Sequence, residues 1–230
     1  MHEHYENKEL TSDTYFTNVR KELLELIPKN LKNGTVLEIG AGTGNTLLYA
    51  KQNGYAQNIY GIELCEMENS NQKNEFFSDF IIGNIEEMEL PYDEKFFDVI
   101  LCGDVLEHLI DPYTLLKKLK KYLKDDGCII ASLPNIRQWD ILKKIVFQGD
   151  FHYENSGILD KTHLRFFTKK TMIELFENQG FNVKKIVGNN ICSTKKYNVI
   201  RRFFNYLSCK RRHLLEEFYV TQYYLVAYKK

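Results

Sequence analysis

The chain has 230 residues, 43% hydrophobic and 27% charged, with 31 basic residues balancing 31 acidic ones. That length sustains one domain with a substantial core, and the composition is ordinary for a soluble globular protein. Zero net charge argues against a dedicated nucleic-acid binder, and no apolar run approaches the roughly 20 residues that a membrane helix needs.

The N-terminal residues Met1 to Asn7 are polar and unlike a signal peptide. Periodicity then predicts an amphipathic helix from Asp13 to Leu26, with Val19, Leu23, Leu24, Leu26 and Ile27 on its apolar face and Pro28 closing it. A first strand is expected at Thr35–Ile39, a helix from Asn45 to Gln52, and a second strand at Asn58–Ile62. A further helix is expected near Cys65–Asn74, then strands at Asp79–Ile82 and Phe97–Leu101. Asp111-Pro112, a capping carboxylate with proline behind it, starts a Leu/Lys helix over Tyr113–Leu123.

Asp125 to Gly127 reads as a turn before a fifth strand at Cys128–Ser132. Helix Thr171–Asn178 and strands Phe181–Val187 and Phe218–Tyr228 complete the pattern, with a basic helix over 195–214 between the last two strands. Alternating strands and helices from residue 35 onwards predict an α/β fold with a doubly wound, mostly parallel sheet. Segment 133–168 breaks the alternation. It follows a strand end, where open α/β sheets bind ligands, and reads as a substrate lid carrying Trp139, Phe147, Phe151, Tyr153, Phe166 and Phe167.

Two charge runs stand out. Acids crowd residues 63–98, and basic residues (Lys195, Lys196, Arg201, Arg202, Lys210, Arg211, Arg212) crowd the later helix. The basic run reads as a solvated face or as a local anion site. Five scattered cysteines (Cys65, Cys102, Cys128, Cys192, Cys209) lack C-x-x-C spacing and read as reduced thiols of a cytoplasmic protein.

The chemistry begins at Glu38-Ile39-Gly40-Ala41-Gly42-Thr43-Gly44, an apolar strand running into a glycine turn, with Glu63 at the tip of the next strand. Glycines remove the Cβ atoms that would keep a ligand from the main chain, and an acid so placed can accept both ribose hydroxyls. A dinucleotide site wants G-x-G-x-x-G, whereas here the third glycine comes one residue early. An oxidoreductase with a nucleotide cofactor rests on this turn alone. A module that binds a cofactor without catalysis is the other alternative.

E-x-G-x-G-x-G resembles motif I of the class I S-adenosylmethionine-dependent methyltransferases. Phe97 to Pro112 resembles their motif IV, and Gly83-Asn84-Ile85-Glu86 their adenine-binding acid motif, with Asn84 in place of the acid. Leu133-Pro134-Asn135-Ile136, Asp160-Lys161-Thr162-His163-Leu164-Arg165-Phe166-Phe167-Thr168 and Gly180-Phe181 are similar to a bacterial subgroup associated with surface-polysaccharide pathways. The resemblance covers residues 15 to 187. It implies a seven-stranded Rossmann-like sheet with an antiparallel last strand and S-adenosylmethionine as cofactor. It also implies cofactor contacts at Glu38, Gly40, Gly42, Gly44, Glu63, Asn84, Ile85 and Cys102.

The acceptor expected is a hydroxyl of a sugar, glycan or related metabolite. An oxygen acceptor must lose its proton, and His108 and His163 are the candidate bases, since imidazole titrates near working pH. Asp104-x-x-Glu107-His108 with the later His163 also resembles the E-x-x-E-H…H metal constellation of small-RNA 2′-O-methyltransferases and, in part, ubiquinone-pathway O-methyltransferases. That resemblance implies Mg²⁺ or Mn²⁺ on Asp104, Glu107, His108 and His163.

Overall fold

The computed structural model describes residues 18–189 and 217–230. Seven strands form one sheet: β1 Gly34–Ile39, β2 Ala56–Glu63, β3 Asp79–Ile82, β4 Phe97–Gly103, β5 Leu123–Pro134, β6 Phe181–Asn189 and β7 Gln222–Lys229. Their order is β3-β2-β1-β4-β5-β7-β6, parallel except for β7, which runs antiparallel to both neighbours. The helices are α1 Lys21–Leu24, α2 Asn45–Gln52, α3 Pro112–Tyr122, α4 Trp139–Lys143 and α5 Lys169–Glu177.

Both faces of the sheet are covered, as the sequence of β4 requires. Val99 and Leu101 join Val36, Ile59 and Ile130 in one apolar cluster, while Ile100 and Cys102 join Leu37, Ile39 and Ile129 in the other. A strand sends successive side chains to opposite faces, so a continuous apolar run belongs to a strand buried on both sides. The α3 cap forms as expected, Asp111 Oδ1 accepting from Tyr113 N and Thr114 N at 3.1 Å each.

Three expectations need correction. The segment near Cys65–Asn74 is not a helix but a series of turns. Gln72, 6% exposed, accepts from Met67 N at 2.9 Å and donates to Gly42 O and Cys65 O. Its side chain takes up the main-chain groups that a helix would have used. Asp125 to Gly127 is not a separate turn, because β5 begins at Leu123 and carries an irregularity there opposite β4. The first helix is short among the described residues, although Leu23, Leu24 and Ile27 are buried as expected. The basic run at 195–214 and residues 13–17 lie outside the described residues.

Candidate active site

Strand order reverses between β1 and β4, and at such a point the loops beyond the strand ends part to leave a crevice. The glycine turn leaves β1 there, and Asp104 to His108 leave β4 beside it. Gly40, Gly42 and Gly44 have φ of +68°, +55° and +84°, left-handed values that L side chains resist. A Cβ on Gly40 would come within 2.6 Å of Val105 Cγ2, so glycine is what lets the two loops approach.

Glu63 closes the turn from the side. Its carboxylate accepts from Gly42 N and Leu64 N at 2.7 Å each, and the residue is 2% exposed. Gln72 holds Gly42 from the other side through its carbonyl.

Two hollows meet at this turn. A small one of about 40 Å³ is lined by Arg20, Glu38, Gly42, Thr46 and Asp104, among others. A larger one of about 620 Å³ is lined by Ile39, Glu63, Asn84, Ile85, His108 and Thr162, among others. Glu38, 3% exposed, leaves its Oε2 without a hydrogen-bond partner. Burial pushes its carboxyl up to about 8, against a lowering by Arg20 and with a smaller rise from Glu63. Glu38 is thus a buried acid with one oxygen unmet, on the lining of the small hollow.

Asn84 borders the larger hollow, but its amide works locally: Oδ1 accepts from Glu86 N at 3.0 Å and Nδ2 donates to Glu87 Oε1 at 2.9 Å. The oxygen retains a second lone pair. Ile85 lines the same hollow. Cys102 is wholly buried within the core, outside both linings, and burial raises its thiol pKa.

The later string folds back onto motif IV. Leu164 N and Arg165 N donate to Glu107 O at 2.8 and 3.0 Å, and Arg165 Nη2 donates to Ile110 O at 2.6 Å. Asp160 caps its own turn by accepting from Thr162 N and Oγ1 at 2.8 and 2.6 Å. This turn sets His163 against His108, ring centroids 4.7 Å apart.

Both rings have a defined tautomer. His108 Nδ1 lies 3.1 Å from Thr162 O, and His163 Nδ1 lies 3.0 Å from Ile158 O. A carbonyl only accepts, so each neutral imidazole carries its proton on Nδ1 and its lone pair on Nε2. Glu107 is 1% exposed, its Oε2 has no hydrogen-bond partner, and burial raises its pKa well above the carboxylate range.

Ligand atoms of Glu107, His108 and His163 lie within 4.8 Å of one another. Imidazole nitrogen and carboxylate oxygen are donor types that suit a divalent metal ion. Asp104 is not a member of this trio, although its charge adds to the rise at Glu107. It adopts φ +53°, accepts from Ser132 Oγ at 2.8 Å, and is bonded to Arg20 and Gln222.

Arg20, Gln72, Ser132 and Gln222 were not foreseen as site residues. Arg20 and Gln222 reach Asp104 across 84 and 118 positions, a closeness that only sheet order creates.

A methyltransferase-domain family model matches residues 12–186. The chain is 25% identical over 191 residues to demethylmenaquinone methyltransferase of Listeria welshimeri, covering 74% of this chain and 79% of that one. It is 24% identical to the ubiquinone biosynthesis O-methyltransferase of Glaesserella parasuis, covering 66% of this chain and 67% of that one. The crystal structure of 1,6-didemethyltoxoflavin-N1-methyltransferase from Burkholderia thailandensis, with bound 1,6-didemethyltoxoflavin and S-adenosylhomocysteine, superposes with a TM-score of 0.62 at 15% identity. That superposition covers 99% of this chain and 84% of the other. The glycine turn at the sheet's switch point, the acids beside it and the family match over most of the chain place it in the methyltransferase-domain family, as a class I S-adenosylmethionine-dependent methyltransferase.

Proposed function

We propose that this methyltransferase modifies a hydroxyl of a sugar, glycan or related small molecule, bound under segment 133–168 acting as a lid. The carrying observation is the trio of Glu107, His108 and His163, whose side-chain donor atoms lie within 4.8 Å of one another while each imidazole Nδ1 sits against a carbonyl. Such a group can take the proton that an attacking hydroxyl must lose. The cofactor supplies an activated methyl group.

Glu63 then holds the ribose and Glu38 the amino group, while Asn84 and Ile85 border the adenine. The glycine turn admits the methionine part. The lid string pins His163 in place and excludes water, so the acceptor oxygen is held in line with the methyl group. His163 abuts Phe166, which packs on Phe151 and Tyr153, both exposed. These rings offer a stacking platform leading to the imidazoles.

The platform, with the quinone-pathway relatives, favours a second reading: an aromatic hydroxyl of the quinone-precursor kind. The trio suits a divalent metal as well, which would lower the pKa of the bound hydroxyl. The scattered cysteines support a reducing compartment such as the cytoplasm. No helix among the described residues is long and apolar enough to cross a membrane.

The deciding experiment pairs calorimetric titration of S-adenosylhomocysteine with transfer of radiolabelled methyl to panels of sugars, nucleotide sugars and dihydroxy aromatics. Binding without transfer to any hydroxyl would remove the O-methylation reading, and no binding at millimolar cofactor would remove the site assignment.

Two further outcomes follow from the acids. Glu63→Ala should weaken cofactor binding by roughly 1.5–3 kcal/mol, the scale of a charge-assisted contact. Because Glu63 is buried and bonded to Gly42 N, thermal stability should fall too, unlike an exposed strand tip. Unchanged affinity in a calorimetric titration would remove Glu63 from the ribose role.

Glu38 gives a pH signature. Its folded pKa of about 8 lies above the unfolded value of 4.5, so its contribution to the apo protein's stability is full below about pH 4.5. The contribution declines as pH rises and is gone above about 8. Urea melts between pH 5 and 8.5 should show this decline in the wild type and lose it in Glu38→Gln. Binding an ammonium beside Glu38 should also release a proton at neutral pH, which calorimetry in buffers of different ionisation enthalpy detects.

A further inference from the structure

One peptide unit joins two walls of the larger hollow. Asp111 N donates to Glu86 Oε1 at 2.8 Å, and the Ile110 carbonyl of that same peptide accepts from Arg165 Nη2 at 2.6 Å. We infer that Glu86 and Arg165 are positioning residues that clamp the later string to the loop after β3 through the Ile110–Asp111 peptide, so that bound cofactor fixes the lid carrying His163. The inference rests on reading the larger hollow as the adenosine side of the cofactor site and segment 133–168 as a lid.

The lining of the hollow draws on segments far apart in the chain. Asn84, Ile85 and Glu86 come from the loop after β3, and Lys161, Thr162 and Leu164 come from the later string, with Ile110 between them. A ligand filling this space touches both, so its binding favours the arrangement that keeps both walls in contact.

The loop after β3 is the fixed wall. Lys118 of α3 donates to Ile85 O and Met88 O at 2.5 and 2.7 Å, and Glu86 Oε2 also accepts from Ile110 N at 3.2 Å. Arg165 ties the later string to this wall, its Nη1 donating back to Leu164 O at 3.1 Å. An anion on the N–H and a cation on the C=O polarise one peptide in the same sense, so each bond strengthens the other. Arg165 lines neither hollow, and any effect it has on cofactor affinity must pass through the string. Because Arg165 is exposed, its charge contributes little to global stability, and its variants should fold.

The test titrates the full chain with S-adenosylhomocysteine by calorimetry and follows backbone hydrogen exchange with and without that ligand. Glu86→Ala and Arg165→Ala should each weaken affinity about tenfold, within the usual range of coupling between sites. The double variant should be no more than about twofold weaker than either single one, because the two bonds share a peptide. Arg165→Lys, which keeps a cationic donor, should stay within about threefold of the parent. Arg165→Met keeps the aliphatic stem without the donor and should match Arg165→Ala, which covers the case of an unfolded alanine variant.

In the parent, the ligand should slow exchange in both the glycine turn and residues 160–168. In Arg165→Ala the slowing should persist in the turn and vanish from the string. Lys144→Ala, which breaks the lid's ion pair with Glu154, should change neither readout. Unchanged affinity in folded Arg165→Ala and Arg165→Met would overturn the inference. So would a double variant weakened by the product of the single effects, or equal loss of slowing in Lys144→Ala. A parent that binds no S-adenosylhomocysteine would remove the cofactor reading and this inference with it, an outcome distinct from a binding parent with indifferent variants.

Discussion

His163→Ala should keep near-normal S-adenosylhomocysteine affinity and lose roughly 10²-fold or more in turnover, the usual scale for a positioned base. The expectation follows from where the residue sits. His163 lines neither hollow assigned to the cofactor, but its ring is 4.7 Å from that of His108 and its Nδ1 is held by Ile158 O. On the proposed reading, losing it removes the base while leaving the glycine turn, Glu38 and Glu63 intact.

The backbone should survive, because the turn carrying His163 is fastened independently. Asp160 caps it, and Leu164 N and Arg165 N donate to Glu107 O. Steady-state kinetics beside calorimetry separates the two effects. Full turnover in the variant would reduce His163 to a packing residue and leave His108 as the remaining base. If the trio holds an ion, EDTA should silence the wild type and Mg²⁺ or Mn²⁺ should restore it.

Gly42→Val should abolish measurable cofactor binding in a protein that still folds. Gly42 has φ +55°, a conformation in which a β-branched residue is a true outlier. A left-handed conformation at a residue with a side chain costs roughly 1–2 kcal/mol, which a domain of this size tolerates. The turn cannot relax freely, however. Gly42 N donates to Glu63 Oε2 at 2.7 Å, and Gly42 O accepts from Gln72 Nε2 at 2.9 Å.

If the backbone holds, valine crowds the hollow of about 40 Å³ that Gly42 helps to line. If it gives way, Glu63 loses the bond that aims it. Both routes end binding. Titration with S-adenosylhomocysteine beside a thermal melt checks the result, and a folded variant with wild-type affinity would move the methionine subsite elsewhere.

Much of the frame was legible because its causes are local. Val99 to Leu101 is a continuous apolar run, and Val36, Leu37 and Ile39 are apolar around the single acid Glu38, a pattern that strands covered on both faces accommodate in this architecture. Gly40, Gly42 and Gly44 announced a tight turn open to a ligand, since glycine brings no Cβ, and all three take positive φ. Asp111-Pro112 marked the start of α3 through a bond that spans only two or three residues.

The Cys65–Asn74 stretch misled for the opposite reason. Its side chains compete for main-chain groups, and Gln72 settles that competition by reaching Gly42, thirty positions away. Distance along the chain hid that bond.

The amino-acid sequence by itself determined the alternating α/β order, the glycine turn and the residue types available for chemistry, because period, backbone freedom and side-chain type act over a few residues. Tertiary structure alone decided which acids work together. Asp104 and Glu107 lie three positions apart, yet β5 and β7 bring Ser132 and Gln222 to Asp104, while the later string brings His163 to Glu107. Each carboxylate's role is set by which partners the sheet order delivers to it. Those partners lie 28 to 118 positions from Asp104, beyond the reach of any local pattern.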